Sequence, residues 1–527
     1  MKKRSFLAIM MAGLLFASCD KTNDPNNNVG SGEYESSYIA VNVNSVFDPT
    51  MRADNDYQEG TEIEQKVTSA HFFFFDANGN PFTLNQESLV GATGQGNYIV
   101  KKDLGDKGQE LPNVETITDV VLTIRKNKGE YPAKMLVVLN WDYTGEAIAL
   151  DALNQTLIAA ANYKSDAGFL MSNSVYAQNN QEVNATPITM DNIGLTAEDA
   201  KAKPVTVYVE RVAAKVSVKE TIAEGTTFNT GEEANGTQVY AKIVGWDINT
   251  TISHSYLVKD ITPDWSLNFT WNDEPYRRSY WANSVAATGS VTYNRAFTWN
   301  DIEFRGNEAG ETNFDYCFEN TTSTEADRTK VVIATRLVNA NGDSLIIAEL
   351  YSQYYTIEGL QNLVASTLED QYYYKDGETY KSIEHSHITF TADKTEGKDS
   401  YTVKYVLTTE AADLSWYTYS NGVFTESSSE AVNAKLATLE RARIWNGKSY
   451  YTVDIEHIPG AESKNFGVVR NHSYVINVTG IKGLGTPVYD PNSKVETPVE
   501  PEETESYVAA QIKVLSWRIV NQNVTLQ

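Results

Sequence analysis

The chain has 527 residues, 41% of them hydrophobic and 21% charged, enough for about two or three domains with sizeable cores. Its 43 Lys plus Arg against 69 Asp plus Glu leave a net charge of -26, a surface potential that repels polyanions and argues against nucleic acid or anionic membrane as partners. The abundance of Tyr, Phe, Trp, Thr and Val favours pleated strands over helices, so the expected fold class is all-β with few helices.

Residues 1–19 read as an export signal. Lys2, Lys3 and Arg4 precede an apolar stretch, Phe6 to Phe16, that is too short to span a bilayer. It ends in Phe16-Ala17-Ser18-Cys19, and two small residues before a cysteine resemble a lipobox, where Cys19 becomes the lipidated N-terminus. The alternative is an ordinary secreted signal with an incidental cysteine. Residues 20–35, rich in Asn, Gly, Ser and Asp, form a linker. A strand follows in which Ile39, Val41 and Val43 share one face. Arg52 is the only Arg between Arg4 and Arg125 and lies in a polar stretch that a protease can thread, which makes it the first processing candidate.

Beyond it, Ala70 to Phe75, Asp119 to Ile124 and Met135 to Leu139 read as strands. Glu146 to Leu157 and Ile357 to Leu368 have the spacing of amphipathic helices. Pro204 precedes the long alternating run Val205 to Val218, which sets the boundary between an N-terminal domain, 53–204, and a C-terminal domain, 205–484. Within the latter, Lys330 to Leu337, Tyr401 to Leu407, Tyr450 to Ile455 and Ser473 to Val478 read as strands. Residues 485–506 carry four prolines and a Glu cluster, an extended acidic linker. It leads to residues 507–527, where Val508, Ala510, Ile512 and Val514 alternate, the phase shifts at Leu515, and Leu515, Trp517 and Ile519 alternate again before Val524 and Leu526. Strands separated by turns suggest two β-sandwiches.

No nucleotide-binding, hydrolase or zinc-protease motif occurs, and no cofactor or metal is expected. His385-Ser386-His387 would place two imidazoles on one strand face, but no third ligand lies near in sequence. Asp76-x-Asn78-x-Asn80 resembles a calcium loop, yet Pro81 stands where glycine is needed, and a hairpin turn is the better reading. Cys317 between aromatics reads as a buried small hydrophobe.

Taken in order, the leader, the strand around Val41, Arg52-Ala53, the segment Val209 to Val216 (VERVAAKV), the run Cys317 to Thr321 (CFENT), Val469 to Tyr474 (VRNHSY) and the closing Val514 to Val524 resemble the landmarks of the Bacteroidales fimbrillins, type V pilus shaft subunits, particularly those of the short fimbria. The resemblance covers essentially the whole chain, each landmark being weakly specific and their order carrying the weight. It implies two transthyretin-like Greek-key β-sandwiches and a non-enzymatic structural subunit. It further implies export as an outer-membrane lipoprotein, cleavage by an arginine-specific surface protease after Arg52, which makes residues 20–52 a removable propeptide and Ala53 the first residue of the mature chain, and polymerisation at the cell surface by strand exchange, supporting adhesion and biofilm formation. The partners would be further copies of the chain, tip and anchor subunits, and host or bacterial surface receptors.

Arg52 cleavage would take away the strand at Val41 and open a groove, which the tail of another subunit could fill by β-augmentation. The alternatives are that the tail is the last strand of its own domain, that the chain is a tip or accessory adhesin, or that it is a glycan-binding surface lipoprotein.

Overall fold

A computed structural model describes residues 34–45, 60–85, 92–102, 117–127, 130–178, 181–220, 227–261, 281–285, 292–294, 298–302, 314–394, 401–457, 466–490, 492 and 507–515. Its first sheet contains β1 (Tyr34–Ser45), β2 (Ala70–Phe75), β3 (Tyr98–Lys101), β4 (Ile117–Asn127), β5 (Lys134–Leu139), β6 (Met171–Asn173), β7 (Ile193–Gly194) and β8 (Val205–Arg211). Across the sheet the order is β7, β1, β8, β6, β5, β2, β3, then the short strand Thr93–Gln95, while β4 pairs with β1. Ile39 and Val41 of β1, Phe72 and Phe74 of β2, and Val205, Val207 and Val209 of β8 enter one core. Strands far apart in the sheet order thus share one interior, so the sheet wraps around it.

The unbroken apolar run of β2 has a physical cause. Phe72 and Phe74 face that interior, whereas Phe73 and Phe75 join Leu136 and Val138 in a second cluster completed by Leu257, Val258 and Phe318 from the rest of the chain. A strand buried on both faces has no polar positions to alternate.

The alternating run 205–218 divides at Val212. β8 belongs to the first sheet, and β9 (Ala213–Glu220) opens the second half of the molecule. That half is a sandwich built with β10 (Phe228–Ala234), β11 (Thr237–Asn249), β12 (Phe314–Phe318), β13 (Lys330–Val338), β14 (Lys448–Asp454), β15 (Ser473–Lys482) and β16 (Tyr507–Leu515). One sheet runs β12, β9, β15, β16 and the other β10, β11, β13, β14, Thr486–Pro487. Val216, Trp246, Cys317, Ile333, Tyr451 and Tyr474 meet between them. The architecture is mainly β, as the composition indicates.

Between β13 and β14 the chain builds a further unit, in which a five-stranded and a four-stranded sheet surround Leu360, Val403, Tyr405, Trp416 and Ala442. Its core is separate from that of the sandwich.

Among the described residues there are six α-helices where the sequence periodicity gives two: α1 (Glu62–Gln65), α2 (Leu150–Asn154), α3 (Ala197–Ala202), α4 (Ile357–Ser366), α5 (Thr409–Ala412) and α6 (Ser429–Leu436). Most are too short for a 3.6-residue period to stand out. Their caps were nevertheless visible: Thr196, Thr356, Thr408 and Ser428 each accept a hydrogen bond from the backbone N–H three residues on. The helix expected over Glu146 to Leu157 shrinks to α2 because distant partners claim its ends. The Asn97 side chain takes both backbone groups of Ile148, and Leu157–Ala159 pairs instead with His254–Tyr256.

Candidate functional site

β1 lies inside the first sheet. Along one side it pairs antiparallel with β4, from Tyr34↔Asn127 to Asn44↔Ile117. On the other side it meets two partners in turn, β7 antiparallel at Tyr38↔Gly194 and Ile39↔Ile193, then β8 in parallel from Val41↔Val205 to Ser45↔Val209. Ile39 and Val41 are fully buried, and Val43 pairs with Thr118 and Val207. Ser37 and Ala40 are buried as well, and α3 packs on β1. Gly194 permits that close approach: a Cβ there would stand 2.4 Å from the Ala200 backbone nitrogen. Burying Ile39 and Val41 contributes about 1.5–3 kcal/mol each.

A buried charge network joins the two halves, and the order-defining runs of the sequence converge on it. Glu210 and Arg211 end β8, Lys215 lies in β9, Glu319 follows β12, and Arg470 to His472 lead into β15. The Arg470 guanidinium donates to Glu319 Oε1 at 3.0 and 2.5 Å, to the carbonyls of Leu257 and Tyr256, and to Ser255 Oγ. Lys259 Nζ donates to Glu210 Oε2 at 2.9 Å. Burial pushes the Glu210 carboxyl up against the opposing pull of Lys259.

Glu64 of α1 is the third buried acid. It accepts from Lys215 Nζ at 2.9 Å, from the Tyr316 hydroxyl and from the Thr61 backbone, while its carbonyl accepts from Arg211 Nε at 2.9 Å. Burial acts to raise this carboxyl, but Lys215 and the Tyr316 hydroxyl outweigh it and hold it below its ordinary range. Arg211 also reaches Asn471 Oδ1, and the Asn471 backbone N–H donates to the Ala213 carbonyl. The pattern Thr61-x-x-Glu64 is a capping box, so a helix start was legible there. Nothing local in the sequence marks Lys259.

The C-terminal strand β16 occupies the edge of its sheet and pairs antiparallel with β15, from Ser473↔Leu515 to Lys482↔Tyr507. Val508, Ala510, Ile512, Val514 and Leu515 thus sit beside their own domain. Trp517, Ile519, Val524 and Leu526 lie outside the described residues, as do Cys19, Arg52 and Ala53.

The remaining candidates resolve simply. His385–His387 is a single 3₁₀ turn and not the strand expected, because the Glu384 backbone N–H donates to His387 Nδ1 at 3.0 Å and the ring packs on Tyr374 and Trp416. Asp76 Oδ1 accepts from the backbone of Asn78 and Asn80, which makes the segment a turn. Cys317 is buried, and burial pushes its thiol up. Among the described residues no group of His, Cys, Asp and Glu is placed to hold a metal ion, and no helix is long and apolar enough to cross a membrane.

The edge strand β16, the β15 beside it and the acidic linker between them fall within residues 444–523, which match the family described as major fimbrial subunit protein type IV, fimbrillin, C-terminal. That C-terminal region is similar to the fimbrillins. Its fold resembles that of a fimbrilin from Porphyromonas gingivalis at 13% identity, over 92% of this chain and 99% of that one, with a TM-score of 0.37. The C-terminally truncated tip fimbrial protein of the same organism aligns over 91% and 100% at 11% identity and 0.34. A fimbrial assembly protein from Parabacteroides distasonis aligns over 75% and 100% at 10% and 0.30. The likeness to the fimbrillins stands on the match over 444–523. No curated protein matches the chain. The charge network forms a joint between the two halves.

Proposed function

We propose that the protein is a fimbrial shaft subunit, secreted as a lipoprotein through Cys19, cut after Arg52, and polymerised when a C-terminal strand of one copy replaces β1 of the next. The observation that carries the reading is the position of β1. It is an interior strand, flanked by β4 on one side and by β7 and β8 on the other, yet it lies N-terminal to Arg52. Cutting there frees it to leave, and its departure uncovers two rows of unpaired backbone groups and the apolar pockets of Ile39 and Val41, a state that calls for a replacement strand. The donor side is supported by β16, which among the described residues has a single strand partner and is reached through the Pro-rich linker, so its release opens one edge.

The proposed division is 1–19 signal, 20–52 propeptide, two sandwich domains that meet at Val212 in place of the expected 204/205 boundary, 485–506 linker, whose first residues pair with β14, and 507–527 donor. Other copies, tip and anchor subunits, an arginine-specific protease and surface receptors are the proposed partners. No catalytic role is assigned. N-terminal sequencing of polymer sheared from the cell surface tests the scheme: the expected first residue is Ala53, and a lipidated Cys19 there would refute it.

A further inference from the structure

We propose that the segment around β7, led by Leu195 and supported by Met190, is the surface on which the body of the strand-donating second copy rests. The inference builds on the strand-exchange reading and adds the direction of the incoming strand and the place of its owner.

The direction follows from the neighbours of β1. Its longest pairing, with β4, is antiparallel, and only the shorter one, with β8, is parallel. Antiparallel ladders have straighter and slightly stronger hydrogen bonds. A replacement strand therefore keeps the direction of β1, antiparallel to β4. A C-terminal donor is tethered to its own subunit by its N-terminal end, and in that direction this end emerges at the Tyr38 side of the groove, past β7. The opposite direction would put the tether at the Ser45 side, beside β8.

The surface at the Tyr38 side is apolar where it should be polar. Leu195 and Met190 are 63% and 66% exposed, among the most exposed large apolar residues described. A scattered exposed leucine needs no explanation, but these two bracket the two-residue strand that touches β1. Since β7 runs antiparallel to β1, with Ile193 opposite Ile39 and Gly194 opposite Tyr38, the next residue, Leu195, continues toward Ser37 and the emerging tether. The patch is continuous with the seat of β1 and therefore suits a second copy of this chain better than an unrelated partner.

The test replaces Leu195 with a photo-reactive benzoylphenylalanine in full-length precursor, with Val423, 60% exposed in the separate unit between β13 and β14, as the control position. After arginine-specific cleavage and polymerisation, irradiation should give dimer adducts from position 195 only, and none from either position before cleavage. Absence of adducts from 195 in fibres, or equal adducts from 423, overturns the proposal. In parallel, Met190→Glu with Leu195→Glu should lower fibre yield about tenfold or more, equivalent to about 1.4 kcal/mol of contact, with melting and cleavage of the precursor unchanged. Wild-type yield would overturn it. Fibres formed by a variant lacking residues 507–527 would instead refute the strand-exchange reading, and the direction argument with it.

Discussion

Four donors reach the side chain or the carbonyl of Glu64, and this explains how a carboxylate with no exposed surface is tolerated between two domains. Removing one partner is then costly. Lys215→Met should destabilise the precursor by about 3–5 kcal/mol, because it strands a buried charge, whereas Lys215→Met with Glu64→Gln should recover much of the loss; denaturant titration of the single and double variants measures both. The acid dependence has a defined sign. Glu64 is held below its ordinary value of 4.5 when folded, so its contribution is fully present above that value and is lost as pH falls through the lower folded value. Glu64→Gln should therefore flatten the stability profile on the acid side while leaving its slope near neutrality unchanged. At Cys317 the buried, poorly ionised thiol should react with a maleimide only after denaturation.

Among the elements, β1 is the one that would separate precursor from polymer in the proposed scheme. Ile39→Asp would place a carboxylate in a fully buried pocket, and the precursor should lose several kcal/mol of stability. Polymer assembled after cleavage should melt like wild type, since residue 39 has left; equal destabilisation of both forms, read by thermal denaturation, would show that β1 stays. Strands with strong apolar patterns were legible: Ala70–Phe75 and Tyr401–Leu407 begin and end where the pattern does. So was α4, which ends at Ser366, two residues before the expected Leu368. Less legible were elements defined by distant partners. Leu157 is drawn into pairing with Tyr256, and Val212, indistinguishable in the alternation from its neighbours, is where the chain changes sheets. The charge network was out of reach because Glu64, Lys259 and Arg470 come from segments hundreds of residues apart and look like surface charges when read singly.

At the scale of the molecule, the two halves are joined by the buried ion pairs Lys215–Glu64 and Lys259–Glu210 and by the apolar cluster of Phe73, Leu257 and Phe318, while the unit between β13 and β14 keeps a core of its own. Paired, hydrogen-bonded charges at a junction supply directional resistance that apolar contact alone does not. Arg52→Ala should leave a folded, monomeric precursor in which β1 keeps its place, as checked by gel filtration and electron microscopy. The most direct test of strand exchange is deletion of residues 507–527, followed by arginine-specific cleavage and electron microscopy. The expected outcome is a folded, cleaved subunit that forms no fibres and no SDS-resistant ladder, with Trp517→Asp giving a partial version of the same defect. Normal fibres from the deletion would contradict the account, since they would show that the tail serves only its own domain and that another segment links the subunits.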